Sequence, residues 1–491
     1  MPVRPFNREE TWMFPPTLDE LIPQDHPARF VAAIVDAMGR NELIELGINP
    51  DGQHLGAAEY HPKLLLGAWL YGFMTGVRSS RTLEAACGDQ LPFLWLTGWQ
   101  CPDHNTLWRF YRDHRKHMRT LFKRTVTLAV RMGLVDLALQ AVDGSKIAGN
   151  ASRWRTHDQA NLEKIMERTE VAIKDLEAQN ATAGEGVLTR LPERLKEAKE
   201  LQQQVEAALQ QVKAEEGRTH LNLTDEDAVL VKSRQGIVAG YNAQAMVSPL
   251  KLEVAGRTGM FITAEEVVNA AHDYDQLVPM IEAAEENTGQ AAEVTLADGG
   301  YHSGANLREC EKRGSEVLTV EAQTKALDGP YHKDNFTYDA QSDTYTCPEG
   351  QTLTCRGMRK HHRKKEEKVR LYRSVAKVCR ACPAFGQCTK DERHGRSIEV
   401  SEYEDVLRRH RQVMATPQAK EKYKLRKTLP EPTFGIMKEA LGARRFLLRG
   451  LQNVRAEWAL LATAFNLRTL WRIWKAWPIE RRAEITRLPA R

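Results

Sequence analysis

The stretch Val135–Ile147, VDLALQAVDGSKI, decides the fold class. It is short, rich in Leu, Val and Ile, and predicts a buried strand that ends in a turn at Asp143-Gly144-Ser145. Both flanks read as helix. Upstream, residues 1 to about 135 carry apolar runs at helical spacing, Ala28 to Val35 and His61 to Val77, separated by turn signals such as Asn49-Pro50-Asp51-Gly52. Downstream, from about Ala160 to Val212, apolar positions fall at Leu162, Ile165, Val171 and Leu176, and again at Leu191, Leu195, Ala198, Leu201, Val205, Ala208 and Val212. The break ATAGEG, Ala181 to Gly186, between the two sets predicts an antiparallel helical hairpin. Its Gln, Glu and Lys-rich outer face suits an arm or spacer.

The strand pattern resumes at Ala239–Ser248 (AGYNAQAMVS) and Met260–Val267 (MFITAEEV), followed by a helix from about Asp273 to Glu286. Glu293–Asp298 (EVTLAD) is an apolar strand ending in a carboxylate, with Gly299-Gly300-Tyr301 behind it, and Ser315–Glu321 (SEVLTVE) reads as one further strand. Strands alternating with helices in this order predict a mixed β-sheet core in an α+β chain. A cysteine-rich, basic stretch from about Gln323 to Ser397 interrupts it, and helices return from Val406. The expected organisation is an N-terminal helical domain over 1–134, the first part of the core over 135–322 with the hairpin inserted at about 157–216, the cysteine-rich insertion over 323–400, and a helical part over 401–491.

At 491 residues with 42% apolar content the chain is long enough for roughly three domains. Its longest apolar run, about Leu64 to Met74, falls well short of the roughly 20 residues that span a bilayer. The opening MPVRPFNREETWMFPP lacks a signal-peptide core. Secreted and integral-membrane readings are therefore set aside, and a cytoplasmic protein is expected. The net charge of +5 conceals a strong asymmetry: residues 401–491 carry 20 Lys and Arg against 9 Asp and Glu, and residues 356–375 carry 9 against 2. These two segments hold +18, which leaves −13 for the rest. Such a distribution points to a polyanion such as nucleic acid, although basic helices are also common as solvated faces.

One helix in the N-terminal region is sharply defined. Asp103 can cap it, Leu107, Phe110, His114, Met118 and Leu121 form an apolar face, and Arg109, Arg112, Lys116 and Arg119 line another. Preceded by Ser80 to Cys87 and a turn at Gly98, it fits the second helix of a DNA-reading helix-turn-helix. It fits equally well a bundle helix with a wet basic face.

Three carboxylates carry the chemistry. Asp143 and Asp298 each follow an apolar strand and precede a glycine, so that in one sheet both can reach a common rim. Glu431 opens the amphipathic segment Pro430 to Arg449. Convergent carboxylates without His or Cys are hard oxygen donors suited to Mg²⁺ or Mn²⁺. A metal pair serves phosphodiester exchange. Singly, a strand-end Asp before Gly is more often a turn former, and a helix-start Glu a dipole partner.

The surrounding strings change that balance. Tyr423, Arg426, Glu431 and Lys438 stand at Y-x2-R-x4-E-x6-K. In chain order the sequence also holds AEYHPKLLLGAWLYGFMTGVRSSRTLEAAC, CPDHNTLWRF, DGSKIAGNAS, GYNAQAMV, ADGGYHSGANL, TCPEGQTLTC and CRACPAFGQCT. With these motifs the chain resembles the bacterial insertion-sequence transposases that have a ribonuclease-H-like catalytic core and an Asp-Asp-Glu triad. The resemblance covers nearly the whole chain. It implies that Asp143, Asp298 and Glu431 are catalytic and bind the Mg²⁺ or Mn²⁺ ions, and that Tyr423, Arg426 and Lys438 flank the site, with Arg426 and Lys438 on phosphate. It implies hydrolysis at the ends of a mobile element to free a 3′-hydroxyl, attack of that hydroxyl on target double-stranded DNA, and a homodimer or larger assembly on DNA, associated with the nucleoid. Pro430 departs from the small aliphatic residue expected before the glutamate, and proline is accepted at a helix start. Two rivals stand beside this reading: a catalytically inactive DNA-binding regulator derived from a transposase, and a nuclease without end specificity.

Cys87, Cys101 and Cys310 are isolated, whereas Cys347, Cys355, Cys379, Cys382 and Cys388 crowd together, which favours metal over disulfides. Cys379-x2-Cys382 has zinc-knuckle spacing, with Cys347 and Cys355 as a second pair or Cys388 completing the set. A reduced lobe without zinc is the alternative. Arg359, Lys360, Arg363, Lys364 and Lys365 in the same insertion can lie along DNA, or form a solvated loop. Near the C-terminus Arg444, Arg445 and Arg449 adjoin Phe446, Leu447 and Leu448. Trp458, Trp471, Trp474 and Trp477 follow at spacings that favour helix packing over base stacking.

Overall fold

The computed structural model describes residues 17–51, 59–182, 191–215, 217–233, 236–254, 256–321, 329–360 and 368–489. The opening 1–16, residues 183–186 of the hairpin break, and Arg363, Lys364 and Lys365 lie outside them. The chain forms two compact units, one from the residues up to Asp273 with 280–291 and 427–491, the other from 274–279 and 292–426.

The first unit is organised around the helix Leu451–Ala476. A helix apolar on almost every face must be buried all round, and Val454, Trp458, Leu461, Phe465 and Leu470 are all buried. It packs against the strand Arg257–Val268 and the helices Pro62–Thr75 and Met118–Arg131. Its polar side chains are satisfied inside the core: Asn466 donates to the Ile262 carbonyl and accepts from the Ile262 N–H, both at 2.9 Å, and Trp458 Nε1 donates to the Gln244 carbonyl at 3.0 Å. Trp458 and Trp474 are buried, so these tryptophans pack. Around this helix stand Pro27–Ala37, Pro62–Thr75, Ser80–Asp89, Leu91–Thr97, His104–His114 and Met118–Arg131.

The sheet of this unit is antiparallel. The long strand Gly236–Val254 pairs with Val229–Ser233, Leu139–Ala148 and Arg257–Val268. The pairing corrects one expectation. The strand does not end at Asp143-Gly144-Ser145: register continues through Gly144↔Gln244 and Ser145↔Ala243 to Ala148↔Gly240, so Asp143 lies mid-strand. Gly144 is there for space. A Cβ on it would meet Asp273 Oδ1 and Gln244 Nε2 at 2.4 Å.

The hairpin helices are Gln159–Thr182 and Leu191–Ala214. Leu162 on one and Val205, Ala208 and Val212 on the other bury one another together with Leu221. Lys199 to Glu177, at 2.7 Å, is an exposed cross-pair worth a few tenths of a kcal/mol.

The second unit holds a parallel strand pair, a five-stranded sheet and the helices Glu404–Ala415 and Pro417–Lys424. Val294–Ala297 and Glu316–Thr319 are parallel strands joined by the helix Gly304–Arg313, the crossover that parallel pairing requires. Residues 337–401 build a five-stranded antiparallel sheet in the order Ser397–Ser401, Lys368–Arg373, Thr352–Lys360, Thr344–Thr346, Thr337–Asp339. Its core is Phe336, Tyr345, Leu353, Tyr372, Ile398 and Val400. Among the described residues no helix is long and apolar enough to cross a membrane.

Candidate active site

Asp143 is half-buried on its strand, and its Oδ1 accepts the Gly144 N–H at 2.8 Å. On the opposite face of the same strand Lys146 Nζ donates to Asp273 Oδ1 at 2.8 Å, and Asn242 and Gln244 each donate to that oxygen at 2.7 Å. This mostly buried cluster fixes the backbone from which Asp143 projects. Across the sheet Asp143 pairs with Ala245, and Ala245 with Glu265. The three therefore share one row and one face. Burial pushes the Glu265 carboxyl up to about 7, against the pull of the Arg119 guanidinium.

Glu431 lies in the first turn of the helix Pro430–Glu439, and Pro430 takes the first helical position, where its missing N–H costs nothing. Lys438 is seven residues on, two turns along the same face. The helix packs against the Asp143 strand, with Thr433 and Met437 buried and the Phe434 ring stacked on Trp458 at 6.1 Å. The amphipathic segment expected to run to Arg449 is helical only as far as Glu439. The chain then turns through Gly442, at φ +68°, and Phe446 N–H donates to the Ala148 carbonyl at 2.9 Å, at the end of the Asp143 strand. A buried ion pair holds this turn. Arg78 pairs with Glu457 and bonds the Gly442 and Arg445 carbonyls, while Glu457 accepts the Leu447 and Leu448 N–H groups at 3.0 Å. The pair, with its backbone contacts, fixes the chain behind the glutamate helix.

Asp298, in the second unit, follows the strand Val294–Ala297 and is a turn former. Its Oδ1 accepts the Gly300 N–H at 2.8 Å, and its carbonyl accepts the Thr319 hydroxyl at 2.8 Å. In that unit Tyr423 lies on the helix Pro417–Lys424 and Arg426 in the 3₁₀ turn Leu425–Thr428, both half-buried. Among the described residues no group of three or more His, Cys, Asp or Glu side chains stands at metal-holding spacing. The donor chemistry of Asp143 and Glu431, carboxylate oxygens alone, fits a hard divalent ion.

The expected DNA-reading helix breaks. His104–His114 is capped by Asp103, whose Oδ1 accepts the Asn105 and Thr106 N–H groups, but Arg115–His117 is a 3₁₀ turn and a second helix starts at Met118. Its cations divide. Arg109 and Arg112 are exposed, with Arg109 donating to Thr106 Oγ1 and Arg112 to Asp113. Arg119 is bound to Glu265 and Glu266, each at 2.9 Å, and is not part of a free basic face. In the cysteine-rich sheet Arg359 pairs with Glu399.

A different basic surface escaped the sequence reading. Arg153, Trp154, Arg155, Arg445 and Arg449 line a groove of about 530 Å³, beginning at Ala148 where the Asp143 strand ends. Arg449 donates to the Asn150 carbonyl at 2.9 Å, which joins the two arginine clusters, and Trp154 is 76% exposed with Arg153 over its ring. No acidic side chain lines this groove among the described residues. Its sequence signal was the string Arg153-Trp154-Arg155 right after DGSKIAGNAS.

Two family models match the chain. Residues 346–471, which contain Glu431 and Lys438, match the transposase DDE domain. Residues 16–113, the first N-terminal helices with Arg109 and Arg112, match a transposase domain (DUF772). Both matches support an insertion-sequence DDE transposase, in line with the resemblance read from the motifs at both ends of the chain. Nothing matches among the curated proteins.

Proposed function

We propose that this chain is the DNA transposase of an insertion sequence, with a ribonuclease-H-like core in which Asp143, Asp298 and Glu431 form the catalytic triad. It binds terminal inverted repeats as a homodimer, hydrolyses the phosphodiester at each end, and joins the freed 3′-hydroxyl to target duplex DNA. The observation that carries the reading is the Glu431 helix: it lies inside the transposase DDE match, packs on the strand of Asp143, and places Lys438 two turns along the same face. Bound Mg²⁺ or Mn²⁺ would supply Lewis-acid charge on the phosphoryl oxygens and a more acidic attacking water. The chain's own parts do the rest. Lys438 and Arg426 hold the phosphate next to the cut. The groove of Arg153, Arg155, Arg445 and Arg449 carries the neighbouring backbone, and Arg109 and Arg112 give further phosphate contacts.

The test is cleavage of a labelled duplex ending in the inverted repeat that flanks the gene, in Mg²⁺, by the natural protein and by Glu431→Gln. The natural protein frees a 3′-hydroxyl at the repeat boundary, and the variant binds but does not cut. Equal cutting by both removes Glu431 from the triad. Binding without any nick in Mg²⁺ or Mn²⁺ replaces the enzyme with a regulator, and equal cutting of unrelated duplexes replaces it with a general nuclease.

A further inference from the structure

Four thiols of the second unit, those of Cys347, Cys379, Cys382 and Cys388, line one small cavity of about 20 Å³. The fifth clustered cysteine, Cys355, does not line it, although Cys355 and Cys347 both pack on the aromatic core around Tyr345 and Tyr372. Three separate turns deliver the four. Cys347 opens a turn in which Gly350 N–H donates to the Cys347 carbonyl at 2.8 Å and Gly350 adopts φ +75°. Cys379 and Cys382 bracket a second, with Cys382 N–H on the Cys379 carbonyl at 3.1 Å, and Cys388 N–H donates to the Ala384 carbonyl at 2.8 Å in the third.

Polar hydrogens are aimed at the sulfurs. The Gln351 N–H donates to Cys347 Sγ at 3.2 Å and the Arg396 N–H to Cys379 Sγ at 3.4 Å, while the Ser374 hydroxyl stands 2.6 Å from Cys379 Sγ. Such contacts orient ligands around a metal. A cavity that holds one water needs about 10–15 Å³, so this one has room for a single small occupant. All four cysteines are free of disulfides.

We propose that Cys347, Cys379, Cys382 and Cys388 bind one zinc ion that staples the Cys379–Cys388 loop to the Cys347 turn. Four soft donors with a C-x2-C arm select zinc over the hard ions that suit carboxylates. The sulfurs are not yet gathered at ligating distance. Loading therefore draws the four sulfurs together around the ion. Four thiols give up four protons as one Zn²⁺ enters, no electron moves, and the guanidinium of Arg396, which donates to the Cys388 carbonyl at 3.2 Å, stands close to offset the charge. This site is independent of the triad and of the transposase reading.

The full chain, purified under reducing conditions without chelator and with no metal-affinity step, is assayed for zinc by mass spectrometry of the elements and, after exchange, for the intense visible bands of tetrahedral cobalt thiolate. About one zinc per chain is expected for a Cys₄ site, lost in Cys382→Ser and Cys388→Ser and kept in Cys355→Ser and Cys310→Ser. Because a serine variant can fail to fold, the natural protein is also alkylated with and without a zinc chelator. The four thiols become reactive together only after chelation, while the exposed Cys101 reacts throughout. Absence of zinc and cobalt uptake in the natural protein, zinc retained by Cys382→Ser, or a Cys379–Cys382 disulfide in the purified chain overturns the proposal.

Discussion

At Asp143-Gly144 the strand runs on for four further residues and the glycine makes room for the side chains of Asp273, Gln244 and Asn242. At Asp298-Gly299 the strand has already stopped at Ala297, and the aspartate turns the chain by accepting the Gly300 N–H. The same dipeptide after the same kind of apolar run thus serves packing in one place and a turn in the other. A short motif specifies its chemistry less well than the partners that surround it. Asp143 is held from the far side of its sheet by a buried polar cluster, and Asp298 by its own turn and the Thr319 hydroxyl.

The largest expected effect puts the two aspartates on an equal footing. Asp143→Asn and Asp298→Asn each lower Mg²⁺-dependent end cleavage by at least about 10³-fold, roughly 4 kcal/mol of barrier, with end binding retained in a gel-shift assay. Loss in one variant alone breaks the equivalence of the two positions. Next in size is the contrast between the glycines. Gly144→Ala forces a Cβ into the 2.4 Å contacts and is expected to cost about 2–3 kcal/mol. Gly299→Ala meets the Val320 carbonyl at 3.1 Å and Val320 Cγ2 at 3.7 Å and is expected to cost under about 1 kcal/mol. Denaturant melts of both variants measure the difference, and a reversed order sinks the assignment of Gly144 to packing.

The row Asp143–Ala245–Glu265 allows a test by pH. Glu265 sits at about 7 when folded, against 4.5 as its ordinary value, because burial disfavours its charge. The folded state therefore holds this proton more tightly, and the resulting stability is complete below about pH 4.5 and lost as the pH rises through 7. In the natural protein this contribution falls between about pH 4.5 and pH 7. Glu265→Gln removes it, so the melting temperatures of the two proteins are expected to change differently over that window, by about 3 °C. Parallel profiles would show that the carboxylate ionises normally in its row. The smallest effect lies on the other side of the comparison. Thr319→Val deletes the hydroxyl that the Asp298 carbonyl accepts and is expected to cost about 1 kcal/mol, read in the same melts.

Much of the chain was legible in its sequence because the signals are local. The hairpin helices followed from apolar spacing, since a repeat near 3.6 residues puts Leu162, Val205, Ala208 and Val212 on faces that must be covered. Asp103 announced a helix start, because a short carboxylate can satisfy two unpaired N–H groups three residues ahead of it. The order of motifs around Glu431 and Lys438 carried the transposase reading that the family models support.

Contacts between residues far apart in the chain were decided by the tertiary structure. Whether Gly144 made a turn or a tight packing site depended on Asp273 and Gln244, more than a hundred residues and one hundred residues away. Arg119 belonged to a basic face by spacing, and the carboxylates that claim it, Glu265 and Glu266, come from a strand of the core. Five cysteines competed for four places until folding left Cys355 off the cavity that the other four line. Propensity is fixed by neighbours in sequence, whereas charge pairing and burial are fixed by neighbours in space, and only the folded chain brings those together.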